Sequence, residues 1–407
     1  MFVNFLALIK LLVSLSHVET EKSLNVIKEN FKIWNGSLVI PKNLKGSIQK
    51  DKILILSVRR GLLNPYNGIL HFYLSIASIA AELGITTKIL VLGKIQTETP
   101  IGKNVSLIST HYTRNKKIRL FFPENILWRD TLQNYASQYR SATIMGPNTE
   151  IEMSMPARKN FFVIASLHTD WLLDPGNKNF LRRSRSNWIR AYYFHYKPNL
   201  WIANSRELIN DFKKVGIYFQ KKNLISIPHI PQKTENFQKE NIVLFVGKQD
   251  KRKAPLLLAE AWSELGDKYT DWRLVFIGPK GSETKKLLKL MKSSSNIRVL
   301  GAVGPAQKLE WLAKSKIVVV PSTYESFGYV TAEALQARCN LLARDIPTIR
   351  EATSNKAIYF TDKRDLVRKL ALCIDSREFP DKLPSTETEY VRVWADILKR
   401  SFHEREN

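Results

Sequence analysis

Two carboxylates, Glu325 and Glu333, flank a glycine turn in Pro321-Ser-Thr-Tyr-Glu-Ser-Phe-Gly-Tyr-Val-Thr-Ala-Glu333. The apolar run Lys316-Ile-Val-Val-Val320 before it reads as a buried strand, and Val330 to Arg338 reads as a helix. A strand, a short loop and a helix N-terminus together offer backbone N–H groups and a positive dipole end to an anion. Gly328 has no Cβ, so the backbone there can approach a ligand closely. Glu325 falls in the loop and Glu333 about one turn into the helix, so both can flank one bound molecule. Taken alone, the same spacing also describes two solvated glutamates on an ordinary strand–helix connection.

Cations and a histidine recur at comparable places. Lys248 and Lys253 lie in the basic loop Lys248-Gln-Asp-Lys-Arg-Lys253, which follows the strand pattern Ile242-Val-Leu-Phe-Val-Gly247. They can neutralise a diphosphate, although two lysines in a basic chain carry little weight by themselves. His168 follows the strand pattern Asn160-Phe-Phe-Val-Ile-Ala165, on the edge where open α/β sheets bind ligands. It reads equally as a structural hydrogen-bonding histidine. Asn67-Gly68 closes the loop after the strand Lys52 to Val58 and can turn its amides toward a phosphate or sugar, or simply form a turn.

The elements that must position these residues alternate as strand and helix, twice over. The first series starts at Lys52 and includes a helix from Ile69 to Leu83, strands at Thr87–Leu92, Ser141–Met145 and Asn199–Ser205, and a helix from Arg206 to Val215. The second starts at Asn241. It continues through a helix from Pro255 to Leu265, strands at Arg273–Gly278 and Asn296–Gly301, the opening stretch, and strands at Asn340–Ala343 and Ala357–Phe360. Pro228 and Pro231 punctuate the junction. The expectation is α/β, with two facing Rossmann-like domains, parallel sheets and a ligand cleft between them. The segments are an N-terminal extension over 1–50, a first domain over 51–235, a second over 236–385, and a C-terminal helix over 386–407 that packs back on the first domain.

A chain of 407 residues with 44% hydrophobic content can bury two cores. The formal charge of +26 implies an anionic counterpart: a phosphate-bearing substrate, a membrane surface or nucleic acid. Two cysteines, Cys339 and Cys373, and seven scattered histidines give neither a disulfide framework nor zinc-type spacing, which fits a cytoplasmic, reducing setting. Phe2 to Val18 is apolar but interrupted by Lys10 and shorter than a membrane span, with no secretory n-region. It reads either as a packed surface helix or as an interfacial one, peripheral at an anionic membrane face. Glu19 to Lys50 reads as mixed and polar, with a turn at Asn35-Gly36. Leu181 to Arg190 is basic with aromatics close behind, and reads as a solvated helix or as a grip on an anionic acceptor.

Glu325-Ser-Phe-Gly-Tyr-Val-Thr-Ala-Glu333, with Val319-Val-Pro-Ser322 before it, resembles the signature of family 4 retaining glycosyltransferases of the GT-B fold. Phe245-Val-Gly-Lys-Gln-Asp-Lys-Arg-Lys253, Val275-Phe-Ile-Gly278 and Asp345-Ile-Pro-Thr-Ile-Arg-Glu351 match in the same order, with fainter matches in the first half. The resemblance covers roughly 53–360. It implies a nucleotide-sugar donor and no cofactor or metal. By it, Glu325 meets the donor sugar's hydroxyls and Glu333 holds the ribose hydroxyls. Backbone amides of Phe327, Gly328, Tyr329 and Val330 face the sugar and diphosphate, and Lys248 and Lys253 neutralise the leaving group. His168 sits by the anomeric centre and Gly68 approaches the donor from the first domain, so Glu325, His168 and Lys253 form the implied catalytic set.

Several positions depart from that pattern. Lys248 stands where the family has Arg, Asn67 and Ala254 stand where it has Gly, Ala337-Arg-Cys-Asn-Leu341 lacks its Gly-x-Pro, and Ser226-Ile-Pro-His-Ile230 lacks its Asn-Gly. The expected reaction moves a sugar from a nucleoside diphosphate to a glycan, lipid or protein acceptor with retention, lipid or glycan being favoured. A nucleic-acid-modifying transferase ranks lower because no nucleic-acid module is present. An inactive GT-B binding protein is the alternative from another class.

Overall fold

Apolar runs of strand length, each followed by a helical pattern, dictate parallel sheets, because only a crossover helix returns the chain to start the next strand in the same direction. A computed structural model of the protein describes residues 21–38, 40–45, 49–58, 68–92, 97–110, 124–147, 161–168, 198–214, 216–232, 234–235, 237–292, 296–376 and 387–403. Its described residues divide into two compact units. One holds residues up to 204, 208–227 and the last helix; the other holds 205–207 and 228–376.

The first unit starts with helix α1 (Glu21–Ser37), followed by β1 (Gln49–Val58), α2 (Gly68–Glu82), β2 (Ile85–Leu92), β3 (Thr97–Gly102) and β4 (Val105–Thr110). Then come α3 (Glu124–Ala136), β5 (Ser141–Pro147), β6 (Phe161–Leu167), β7 (Leu200–Ala203), α4 (Arg206–Lys214) and β8 (Leu224–Ser226). The strands form one sheet in the order β3-β4-β2-β1-β5-β6-β7-β8, all parallel except the edge strand β3. Every residue of α2 from Leu70 to Ala81 is buried, so this helix needs cover on more than one side. The C-terminal helix, Glu387–His403, supplies part of it: Trp394 meets Phe72 at 5.5 Å, and the Ser75 and Tyr390 hydroxyls are 2.8 Å apart.

Helix α1 corrects the expectation of a polar segment with a turn at Asn35-Gly36. Ile27, Phe31 and Trp34 are buried at helical spacing, and a Cβ on Gly102 of β3 would stand 2.0 Å from the Phe31 ring. The apolar stripe is interleaved with lysines, glutamates and asparagines, which dilute it in any composition-based reading. The β3–β4 hairpin and α3 were likewise not expected. Phe2–Val18, the 59–67 loop including Asn67, and the basic and aromatic segment over 181–196 lie outside the described residues.

The second unit is a six-stranded, fully parallel sheet. Its strands are β9 (Glu240–Val246), β10 (Arg273–Ile277), β11 (Ile297–Gly301), β12 (Ser315–Val320), β13 (Asn340–Arg344) and β14 (Ile358–Phe360). The connecting helices are α5 (Pro255–Leu265), α6 (Thr284–Lys292), α7 (Pro305–Lys314), α8 (Tyr329–Gln336), α9 (Pro347–Ala352) and α10 (Lys363–Asp375). The order β11-β10-β9-β12-β13-β14 puts β9 and β12 side by side at the centre. The chain leaves β9 toward one flank and β12 toward the other, so this is the topological switch point of a doubly wound sheet. Val243, Phe245, Leu274, Phe276, Ile317 and Val319 form the core there, covered by Leu258, Trp262, Leu366 and Leu370. Cys339 is a buried free thiol in the turn between α8 and β13, and Cys373 is buried on α10.

Candidate active site

Because all six strands of the second unit run parallel, the loops that leave β9, β10 and β12 share one sheet edge. Backbone hydrogen bonds lace the first two together. Gly247 N–H donates to Ile277 O at 3.0 Å, Gln249 N–H to Pro279 O at 3.1 Å, and Glu283 N–H to Gln249 O at 2.9 Å. Gly278 is required here: its φ is +133°, and an added Cβ would lie 2.1 Å from Gly247 O. The β12 loop joins the same assembly through Thr323 N–H, which donates to Arg252 O at 2.8 Å.

The β12 loop turns into α8 through Gly328, which is the helix N-cap with φ 89° and ψ 57°. That left-handed conformation explains the glycine, since a side chain there is strained and would press on Thr331 Oγ1 at 3.1 Å. Thr331 secures the turn by donating its hydroxyl to Gly328 O at 2.6 Å. Tyr329 and Val330 open the first turn of α8, where backbone N–H groups are not consumed by the helix ladder. Phe327 points inward: it is buried, and its ring meets the His229 imidazole edge-on at 5.2 Å. His229 also stacks on Tyr329 at 4.4 Å and 16°.

Both carboxylates are buried, which settles one of the two readings of their spacing: they are not solvated surface groups. Glu325 pairs with Lys253 Nζ across the two central loops. Burial alone would raise the Glu325 carboxyl. The Lys253 charge and hydrogen bond, with smaller help from Arg252 and the Ser322 hydroxyl, outweigh it and hold the group below the usual carboxylate range. Glu333 pairs with Lys308 Nζ of α7 at 2.5 Å. Lys253 is anchored at its own backbone, whose N–H donates to Asp250 O at 3.1 Å. Lys248 is the outermost of the set, more than half exposed, with Nζ 3.9 Å from Asp250 Oδ2.

The second unit therefore gathers Lys248, Lys253, Glu325, Phe327, Gly328, Tyr329, Val330 and Glu333 on one edge. His168 and Gly68 belong to the first unit. Gly68 is the first residue of α2. His168 follows β6 and is buried, with Nε2 3.0 Å from Ser166 Oγ and its ring 4.9 Å from Phe72. Burial pushes its imidazole down to about 3, so it is neutral across the physiological range.

Sequence reasoning missed Lys308, His229, Ser322 and Arg344, whose Nε donates to Pro321 O at 3.1 Å at the start of the β12 loop. Lys308 is one lysine among 63 basic residues, and only the fold brings α7 alongside Glu333. Two departures from the family pattern fall where glycine is favoured: Ala254 has φ 49° and Arg338 has φ 58°. Arg338 closes α8 in a Schellman arrangement, in which Cys339 N–H donates to Ala334 O at 3.0 Å and Arg338 N–H to Leu335 O at 3.1 Å.

Residues 226–388 match the family model described as Glycosyl transferases group 1. The chain is 27% identical over 175 residues to D-inositol 3-phosphate glycosyltransferase from Nocardioides sp., a match that covers 38% of this chain and 38% of that relative. The chain thus spans less than half the length of the curated relatives it matches. Among solved structures, the sucrose-phosphate synthase of Thermosynechococcus elongatus superposes with a TM-score of 0.62 at 14% identity, covering 87% of this chain and 95% of that one. HepE from Anabaena, solved in complex with UDP and glucose, superposes with a TM-score of 0.60 at 14% identity, covering 86% and 95%. The chain has the GT-B fold, two Rossmann-like units with parallel-rich sheets. The match to the glycosyl transferases group 1 model falls almost entirely within its second unit.

Proposed function

We propose that the protein transfers a sugar from a nucleoside diphosphate donor to an acceptor, with retention of anomeric configuration and with the second unit holding the donor. The observation that carries this reading is the pair of buried, lysine-matched carboxylates on either side of the Gly328 turn at the sheet's switch point. A surface loop has no use for two buried ion pairs, whereas a site for a polyhydroxylated, diphosphate-bearing ligand needs both acceptors and cations.

In this reading Glu333 accepts hydrogen bonds from the ribose hydroxyls and Glu325 from the sugar. The amides at Phe327 to Val330 face the sugar and diphosphate. Lys253 and Lys248 meet the negative charge that develops as the diphosphate leaves, the role a metal ion plays in other transferases. Lys253 is held by Glu325, so the donor meets a cation that is already placed on the edge. Glu325 then governs turnover and Glu333 governs nucleotide affinity. His168, buried and neutral, serves the first unit as a fixed hydrogen-bonding and packing group, not as a general base working by titration near neutral pH.

The acceptor in this reading is a lipid or a glycan. The charge of +26 favours an anionic one, and a peripheral position at an anionic cytoplasmic membrane face is consistent with it. No helix among the described residues is long and apolar enough to cross a membrane.

The test is slow donor hydrolysis without acceptor, followed by the anomer of the sugar first released. Wild type should liberate sugar from at least one nucleotide sugar with its configuration retained, and Glu325→Ala or Lys253→Ala should each abolish release. Equal losses of turnover and nucleotide affinity in Glu325→Ala and Glu333→Ala would show that the pair merely supports the turn.

A further inference from the structure

Lys308 has no role in the reading above, yet it is the direct partner of Glu333. Its Nζ lies 2.5 Å from Glu333 Oε1, and the two side chains are 16% and 5% exposed. Lys308 reaches across from α7, the helix that precedes β12, whereas Glu333 lies on α8, the helix that follows it. The pair therefore bridges the two helices that flank the central strand. A carboxylate this buried must be matched by a cation or it gives up its charge. Glu333 has about four lone-pair directions, and a vicinal diol donates two hydrogen bonds. A lysine fixed on Oε1 leaves the remaining directions for the diol and fixes where they point. A neutral, protonated Glu333 would lose acceptor capacity and present a donor where the hydroxyls need an acceptor.

We propose that Lys308 is the positioning residue of the ribose-recognition carboxylate. The preference for ribonucleotide over deoxyribonucleotide donors is then set by the Lys308–Glu333 pair rather than by Glu333 alone. This rests on the donor reading given above. It differs from it in assigning nucleotide-sugar discrimination to a residue on α7, outside the glycine-turn stretch. Lys308→Arg keeps the charge and should keep the discrimination, whereas Lys308→Met keeps the length of the side chain and removes the charge.

The experiment measures dissociation constants for UDP, GDP and ADP, and then for the 2′-deoxy and 3′-deoxy forms of whichever binds. The proteins are the full-length wild type, Lys308→Met, Lys308→Arg, Glu333→Gln and the Lys308→Met/Glu333→Gln double variant. Wild type should prefer the ribonucleotide by about tenfold or more, the discrimination expected when a buried polar group loses its partner. Lys308→Met and Glu333→Gln should each cut that preference below about threefold. The double variant should be no worse than either single one, and Lys308→Arg should retain most of the preference. A purely structural role would change thermal stability and leave the ribo-to-deoxyribo ratio intact.

Three results overturn the proposal, and they are distinguishable. If wild type discriminates and Lys308→Met discriminates equally, Lys308 does not position Glu333, and the donor reading stands. If wild type binds none of the three nucleotides, or binds ribo and deoxyribo forms alike, the role of Glu333 falls and this inference falls with it. Should Lys308→Met not fold, Lys308→Gln replaces it, and Lys308→Arg losing the preference while remaining folded also counts against the proposal.

Discussion

Replacing Lys253 with methionine isolates the central ion pair. The side chains of Lys253 and Glu325 are 18% and 9% exposed, so removing the cation leaves a carboxylate that water cannot reach well. Its escape is to bind a proton. At pH 7 that costs about 1.4 kcal/mol for each unit between the ordinary glutamate value, about 4.3, and the solution pH, or about 3.7 kcal/mol. This caps the part of the loss that comes from the unmatched carboxyl; the stabilisation from the Lys253 pair itself is lost in addition. The nearby Arg252 charge and Ser322 hydroxyl, which also favour the carboxylate, bring the expected loss to about 2 to 4 kcal/mol.

The sign with pH follows. In wild type the folded carboxyl lies below its unfolded value, so its contribution is present above the unfolded pKa and is lost as pH falls through the folded one. In Lys253→Met the carboxyl is raised, so the deficit grows with pH by up to about 1.4 kcal/mol per unit and shrinks to about 1 kcal/mol near pH 5. Hydrogen exchange of the β9 and β12 amides reads the opening free energy of the second unit without requiring the whole chain to unfold in one step. Lys253→Met/Glu325→Gln should recover to within about 1 kcal/mol of wild type, because no buried charge is then left unmatched. A deficit of less than about 0.5 kcal/mol at pH 7, or one that does not change between pH 5 and pH 7, would refute the argument.

Ala254→Gly and Arg338→Gly should each stabilise the second unit by about 1 kcal/mol, read as a rise in its melting temperature, because both positions hold left-handed backbone with a side chain attached. Gly278→Ala should do the opposite, costing about 3 kcal/mol or more and weakening nucleotide binding, since the new methyl would meet Gly247 O and push the loops after β9 and β10 apart. For His168 the folded imidazole is depressed by burial. Its contribution to the first unit is therefore full above the unfolded pKa of about 6.5 and declines as pH falls toward about 3. Acid titration followed by far-UV circular dichroism should show His168→Phe less acid-sensitive than wild type, and donor turnover in wild type should show no inflection assignable to His168 between about pH 5 and 8.

The second unit was largely legible because its strands are unbroken apolar runs and its glycine turn has one residue that tolerates φ 89°. Helix α5 begins at Pro255, as its fixed φ and missing N–H suggest. Helix α8 ends at Gln336, not at Arg338, because the Schellman closure takes the next residues out of the helix, and no glycine announces it. Helix α1 was hidden because its buried stripe is narrow and its other faces are polar. The β3–β4 hairpin was hidden because Thr97-Glu-Thr-Pro-Ile-Gly102 is a mostly exposed edge strand without the alternation that marks a half-buried one. At the site, residue types showed which groups could do chemistry. They could not show which lysine matched which carboxylate, because Lys253–Glu325 and Lys308–Glu333 span 72 and 25 positions and form only when parallel strands bring their loops and helices to one edge.

The central claim is that the carboxyl edge of the second unit is a nucleotide-sugar site, and thermal melting against a panel of UDP-, GDP- and ADP-sugars tests it most directly. A ligand at a hundred times its dissociation constant stabilises the folded protein by about 2.7 kcal/mol. A clear upward shift is expected with at least one member, reduced by Lys253→Met and by Glu333→Gln. No shift with any member, or a shift undiminished in both variants, would contradict it.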